Sequence, residues 1–207
     1  MASRIIFVRH GLTNENARRE IQGSQPTELA PFGRIQAVAA ANALKAYSPT
    51  ALYSSAYVRA RQTADIISKE LGLHVRENTR LREQGFGEWE GRSWTEITGS
   101  DPAIVERSQN EGWWFCPPGG EPRLRVRHRM LTFIDEVRQE HPDTTTVAVS
   151  HRGAIYLMVH ALLDKIPTGR ASMQFSNGGL TIVEAGDGRV MLMTVNEIQH
   201  LQRLQED

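Results

Sequence analysis

The first strongly patterned stretch is four consecutive apolar residues, Ile5-Ile6-Phe7-Val8, inside a run over residues 4–9 that stops at Gly11. A short run this rich in β-branched and aromatic side chains, ending at glycine, predicts a buried strand followed by a loop. Residues 33–47 are rich in alanine with apolar positions at helical spacing, and residues 50–53 then give a brief strand before Ser54-Ser55. Residues 57–71 place Val58, Ala60, Ala64, Ile67 and Leu71 mostly on one face, with Gly72 as the C-terminal stop, which predicts a second helix. A third short strand is expected at 74–76.

Periodicity fails between Arg82 and Gly120, where seven glycines, the Trp113-Trp114-Phe115 cluster and the break Pro117-Pro118-Gly119-Gly120 fall. This predicts a loop-rich cap over about 84–121, with one helix near 94–98. Pattern returns with a helix at 123–140, a strand at 145–149, a helix at 154–163 and a closing hairpin from 180–184 and 190–195. The polar tail after Glu197 reads as a surface helix or a frayed end. Alternating strands and helices specify an α/β fold, a three-layer α/β/α sandwich with a mostly parallel central sheet. No repeat or linker divides the chain, so residues 1–207 are expected to form one domain.

Composition narrows the partners. Lysine plus arginine equal aspartate plus glutamate at 24 each, so no global field would draw the protein to nucleic acid or an anionic membrane. The single cysteine, Cys116, cannot close an intramolecular disulfide and suits a reducing compartment. No apolar run reaches the length of a membrane span; the expectation is a cytoplasmic protein.

Ligands of open α/β sheets bind beyond the carboxyl ends of the strands, and three clusters fall there. Arg9-His10-Gly11 follows the first strand, Arg59 and Arg61 follow Ser54-Ser55, and Ser150-His151-Arg152-Gly153 follows the strand ending at Val149. Converging, they would make an anion pocket.

From Arg4 to about Leu163 the chain resembles the histidine phosphatase superfamily, also called phosphoglycerate-mutase-like. The resemblance rests on Arg9-His10-Gly11 with Thr13 and Asn16; Ser54-Ser55 with Arg59-Ala60 and Gln62-Thr63-Ala64; Leu81-Arg82-Glu83 leading to Gly87-Glu88-Trp89-Glu90-Gly91; Gly119-Gly120-Glu121; and Val149-Ser150-His151. It implies that His10 is the nucleophile, that Arg9, Arg59 and His151 grip the phosphoryl oxygens, that Glu83 is the proton donor, and that Asn16 and the backbone around Gly23 line the pocket. Physical chemistry agrees: a neutral imidazole offers a lone pair without a metal, and arginine's planar fork matches phosphate oxygens. A carboxyl group near phosphate charge is pushed toward its protonated form. Departures from the family pattern are Leu12 and Glu15, in place of an acidic and a bulky aromatic residue, Glu28-Leu29-Ala30 in place of Pro-Leu-Thr, Arg152, where glycine is usual after the second histidine, and Pro122 in place of serine, which suits helix position N1.

Blander readings stand beside these. Arg61 fits a surface ion pair. Glu88 and Glu90 compete locally with Glu83, and only the family pattern separates them. Trp89 is expected to pack the Glu83 loop, whereas Trp113, Trp114 and Phe115 fit either a small cap core or a substrate-facing wall. Arg123, Arg125, Arg127 and Arg129 fan around their helix and read as solvated side chains, not an RNA site. His74, His128, His141, His160 and His200 show no metal-ligand spacing, so neither a metal nor a cofactor is expected.

The sequence therefore points to a metal-independent hydrolase of a small phosphomonoester, working through a phosphohistidine on His10. A phosphoglycerate mutase primed by a bisphosphate is the alternative, disfavoured by the short, aromatic stretch between Glu83 and His151. A non-catalytic phosphate- or RNA-binding module is the third reading. Nothing in the sequence names the substrate, and an edge strand or helix could serve a homodimer.

Overall fold

The computed structural model describes residues 2–167, 173–186, 188–202 and 204. Strand β1 (Ser3–Arg9) carries the opening apolar run, and all four of its residues are fully buried because both faces of the strand are covered. Ile5 and Phe7 point into one core cluster, Ile6 and Val8 into another. That is why the run is continuous and not alternating.

The other strands are β2 (Ala51–Ser54), β3 (Val75–Glu77), β4 (Thr145–Ser150), β5 (Leu180–Gly186) and β6 (Arg189–Glu197), in the order β3-β2-β4-β1-β5-β6. The first four are mutually parallel, β5 runs antiparallel to β1, and β6 to β5. Arg9 pairs with Ser150 and Ser54 with Val149. This register brings the carboxyl ends of β1, β4 and β2 level, so the residues that follow them share one edge.

Helices α2 (Pro31–Leu44) and α3 (Val58–Leu71) cover one face with Ala40, Ala41, Leu44, Ala60, Ala64 and Ile67. Pro31 occupies the first turn of α2, where a missing N–H costs nothing. One 3-10 turn, Lys45–Tyr47, extends α2, and Gly72 ends α3 with a left-handed cap. On the opposite face lie α6 (Arg123–Glu140) and α7 (Arg152–Leu162). Val126, Met130, Phe133, Ile134 and Val137 form the apolar stripe of α6. The remaining helices are α1 (Asn14–Ala17), α4 (Trp94–Ser100), α5 (Ala103–Asn110) and α8 (Gln199–Gln202). The helix at the polar tail is thus short, and no helix among the described residues is long and apolar enough to cross a membrane.

The expected three-layer arrangement is present, with several local corrections. The cap carries two helices, α4 and α5, and a core of its own from Trp89, Ile97, Ile104 and Phe115. Ser93 and Glu96 cap α4 reciprocally, a Ser-x-x-Glu signature present in the sequence. Pro122 is the N-cap of α6 and not its first helical residue, and α7 starts at Arg152, two residues before the apolar pattern begins. Pro122 still ends the preceding loop, because its fixed φ also suits the residue entering a helix.

The arginine run on α6 departs further from expectation. Arg123 and Arg129 are buried, not solvated. Arg123 donates to the carbonyls of Ser108, Gly112 and Pro167 and to Ser108 Oγ, and its guanidinium lies 4.5 Å from the Phe115 ring centre. Arg129 pairs with Glu121 and donates to the carbonyls of Arg80, Arg82 and Glu83. The cap folds over α6, so these two guanidiniums replace water by carbonyl oxygens.

Candidate active site

His10 follows β1 at the level where β4 ends, and its backbone N–H donates to Ser150 O at 3.0 Å. The next residue must be glycine: a Cβ on Gly11 would lie 2.2 Å from Gly33 O, where the loop passes the first turn of α2. Gly11 N–H donates to Thr63 Oγ1, which itself donates to Arg59 O. The loop after β1 is thereby tied to the helix that carries Arg59.

Two contacts settle the tautomer of His10. Nδ1 lies 2.8 Å from Gly11 O, which can only accept, so Nδ1 carries the proton. Arg59 Nε–H donates to Nε2 at 3.3 Å, so Nε2 presents its lone pair. Burial, and then the charges of Arg59 and Arg9, hold the imidazole well below its ordinary value near 6.5. His10 is neutral at physiological pH, with the lone pair next to a guanidinium.

Arg59 is almost fully buried. Its remaining donors reach Gly23 O at 2.7 Å, Gln25 O at 3.1 Å and Thr27 Oγ1 at 3.3 Å, so the backbone around Gly23 positions the guanidinium. Arg9 donates to Phe175 O, while its buried Nε has no partner among the described residues. Burial, Arg152 and Arg59 lower the Arg9 guanidinium to about 9 despite Glu83, which still leaves it cationic at neutral pH. Asn16 lies in the capped turn of α1, where its Oδ1 accepts from Thr13 N and Asn177 Nδ2.

Glu83 reaches the site from the opposite face. Its carboxylate accepts from the N–H groups of Gln84, Gly153 and Ala154 at 2.9, 3.0 and 2.9 Å, the last two at the amino end of α7. A Cβ on Gly153 would stand 2.6 Å from Glu83 Oε1, so only glycine admits this approach. Neither rival carboxylate fits: Glu90 holds Ser24 and Phe86, and Glu88 is not among the residues around the cavity.

His151 is fully buried, 5.2 Å from His10 between ring centres. It does not line the cavity, unlike the other predicted site residues. Tyr57 N–H donates to Ser55 Oγ, and the hydroxyl faces His151 Nε2 at 2.8 Å. Nδ1 is buried with no partner among the described residues. Burial and then Arg59 push this imidazole, too, well below 6.5.

Arg9, His10, Asn16, Gly23, Arg59 and Glu83 form the floor of a cavity of about 590 Å³. Its walls include Leu12, Ile21, Phe86, Trp89, Trp94 and Phe115. Phe115 thus serves both the cap core and the wall; Trp114 is exposed, and Trp113 packs under Arg127. Arg61 makes ion pairs with Asp65 and Glu77 outside the site. Among the described residues, no cluster of His, Cys, Asp and Glu could hold a metal ion.

Sequence reasoning missed Asn177, which lines the cavity and donates to His10 O at 3.0 Å. Its only signal was the Asn-Gly-Gly turn before β5. The roles of Arg129 and Glu121 in holding the Glu83 segment were missed as well.

A family model described as histidine phosphatase superfamily (branch 1) matches residues 5–198. A glucosyl-3-phosphoglycerate phosphatase of Mycobacterium tuberculosis is 36% identical over 174 residues, covering 80% of this chain and 77% of that protein. A native structure of a mycobacterial glucosyl-3-phosphoglycerate phosphatase superposes with a TM-score of 0.84 at 32% identity, over 95% of this chain and 99% of the other. A metal-independent phosphoserine phosphatase of Arabidopsis thaliana is 29% identical over 202 residues, 95% of this chain and 82% of that protein.

Proposed function

The chain belongs to branch 1 of the histidine phosphatase superfamily, and from that premise we propose that it hydrolyses a small organic phosphomonoester through a phosphohistidine on His10. One observation carries the reading: a buried, neutral imidazole on the cavity lining whose Nε2 keeps its lone pair, at present accepting from Arg59. The names of its relatives, two of them phosphatases and one metal-independent, support the same reaction class.

In the first step His10 Nε2 forms a bond to phosphorus as the bond to the ester oxygen breaks. The leaving oxygen takes a proton from the acid form of Glu83, and the alcohol departs. In the second step Glu83, now a carboxylate, removes a proton from water, whose oxygen attacks phosphorus. The P–N bond breaks, phosphate leaves, and His10 is again neutral. Arg9 and Arg59 match the charge of the transferring group, which in phosphoryl transfer is most of the catalytic task. His151 packs behind His10, 5.2 Å between ring centres and off the cavity lining, and holds that ring in place. Asn16 and Asn177 fix the loop that carries the nucleophile.

Phosphate release from a panel of phosphomonoesters, with excess EDTA and with His10→Ala as control, tests the proposal. Release by the parent alone supports it; equal release by His10→Ala overturns it. The mutase reading has one observation in its favour, the excess of guanidinium over carboxylate around the cavity. Stimulation of phosphoglycerate isomerisation by 2,3-bisphosphoglycerate, with little phosphate released, would favour it instead.

A further inference from the structure

The cavity is lined by five arginines, Arg9, Arg19, Arg59, Arg123 and Arg152, against two carboxylates, Glu20 and Glu83. Most of these charges are already engaged. Arg123 donates four hydrogen bonds to Ser108, Gly112 and Pro167; Arg59 is held by Gly23, Gln25, Thr27 and His10. Glu83 accepts from three backbone N–H groups, and Glu20 pairs with Arg18. The Arg152 side chain is exposed and makes no hydrogen bond and no ion pair with any described residue, although the residue is on the cavity lining.

Its local charge environment does not favour a cation. Arg152 is the first residue of α7, where the positive end of the helix dipole opposes a cation. It also acts against Arg9, the second cause of that guanidinium's lowered affinity for its proton. An exposed cation beside a second cation, with no ion-pair partner among the described residues, is suited to an incoming anion.

The reacting phosphoryl group carries about two negative charges, which Arg9 and Arg59 already match. Arg152 therefore offers a third positive charge to a different group. The adjacent residue says which: Gly153 N–H holds Glu83 Oε2, and the proton donor must face the leaving oxygen. Arg152, one residue earlier in the same first turn and on the lining of the same cavity, is a cation left over for a group on the departing alcohol.

We propose that Arg152 is the specificity-determining residue of this site, binding a carboxylate on the leaving alcohol, so that the preferred substrates are phosphomonoesters of hydroxy acids. The inference rests on the hydrolase reading above and extends it.

Two matched pairs of probes differ chiefly in the carboxylate: 3-phosphoglycerate against glycerol 3-phosphate, and O-phosphoserine against phosphoethanolamine. The parent should favour the carboxylated member of each pair by roughly 10- to 100-fold in kcat/KM, the usual worth of one charge-assisted hydrogen bond. Arg152→Gln should collapse that ratio by slowing the carboxylated member far more than its partner, and Arg152→Lys should keep part of it. Thermal unfolding of Arg152→Gln should show no loss of stability, which separates a binding role from a structural one. A parent ratio near one, or Arg152→Gln slowing both members alike, would overturn the inference while leaving the hydrolase intact. Failure to hydrolyse any of the four, or any other monoester, would overturn the hydrolase reading and this inference with it.

Discussion

Replacing Arg129 by methionine should be among the most damaging single changes outside the floor of the cavity. Arg129 and Glu121 are both nearly inaccessible, with side chains 7% and 8% exposed, and pair at 3.0 Å. The same guanidinium donates to three carbonyls, those of Arg80, Arg82 and Glu83. Methionine keeps the length and apolar stem but leaves those carbonyls without their donor and the Glu121 carboxylate with only Arg82 and the Gly85 N–H. Breaking a buried pair from one side costs about 3–5 kcal/mol. In urea, with an m-value of about 3 kcal/mol/M for a chain of this size, the midpoint should fall by roughly 1–1.7 M. Turnover should fall as well, because the Glu83 carbonyl is one of the three that lose their anchor. Urea unfolding followed by tryptophan fluorescence, alongside kcat, measures both effects, and Arg129→Met combined with Glu121→Met should recover much of the stability. A loss below about 1 kcal/mol for the single variant would refute the reasoning.

Three shorter predictions follow from the same geometry. Glu83→Gln keeps an acceptor near the N–H groups of Gly153 and Ala154 but cannot donate a proton as an acid, so it should slow esters of poor leaving groups far more than aryl phosphates; a uniform effect across a leaving-group series would contradict the assignment. His10 and His151 are held below 6.5 in the folded state. As pH falls below 6.5 the unfolded chain takes up protons that the native histidines refuse, so stability should decline by up to about 1.4 kcal/mol per pH unit for each. Midpoints of unfolding between pH 7 and 5 check this, and a flat profile would show that the rings are not kept neutral. Gly153→Ala should displace the Glu83 carboxylate, since the new Cβ would meet Oε1 at 2.6 Å; kcat should fall at least tenfold with a much smaller change in KM, and unaltered kinetics would show that the approach is not required.

The strand ends and the residues after them were legible because the sheet is built from short apolar runs that terminate in glycine or serine beside ionisable groups. The helix α6 was legible to its bounds for the same local reason, a clean apolar stripe. What was hidden depends on distant chain. Asn177 joins His10 across 167 positions, and no periodicity announces such a contact. Arg123 and Arg129 look like solvent-facing residues until the cap segment folds over them, and α5 carries too few apolar side chains to reveal itself before Phe115, Trp89 and Ile97 surround Ile104. Arg152 was visible as a departure from the family pattern, but its want of a partner, which gives the departure meaning, needed the packed structure.

The central claim is that His10 carries the phosphoryl group. Its most direct test is a single-turnover reaction with labelled phosphomonoester, quenched in alkali, where a phosphoramidate on imidazole survives, and followed by peptide mapping of the protein. The account predicts transient label on the peptide containing His10, acid-labile, appearing before free phosphate and absent from His10→Ala. Turnover without any labelled protein intermediate, or label on another residue, would contradict it.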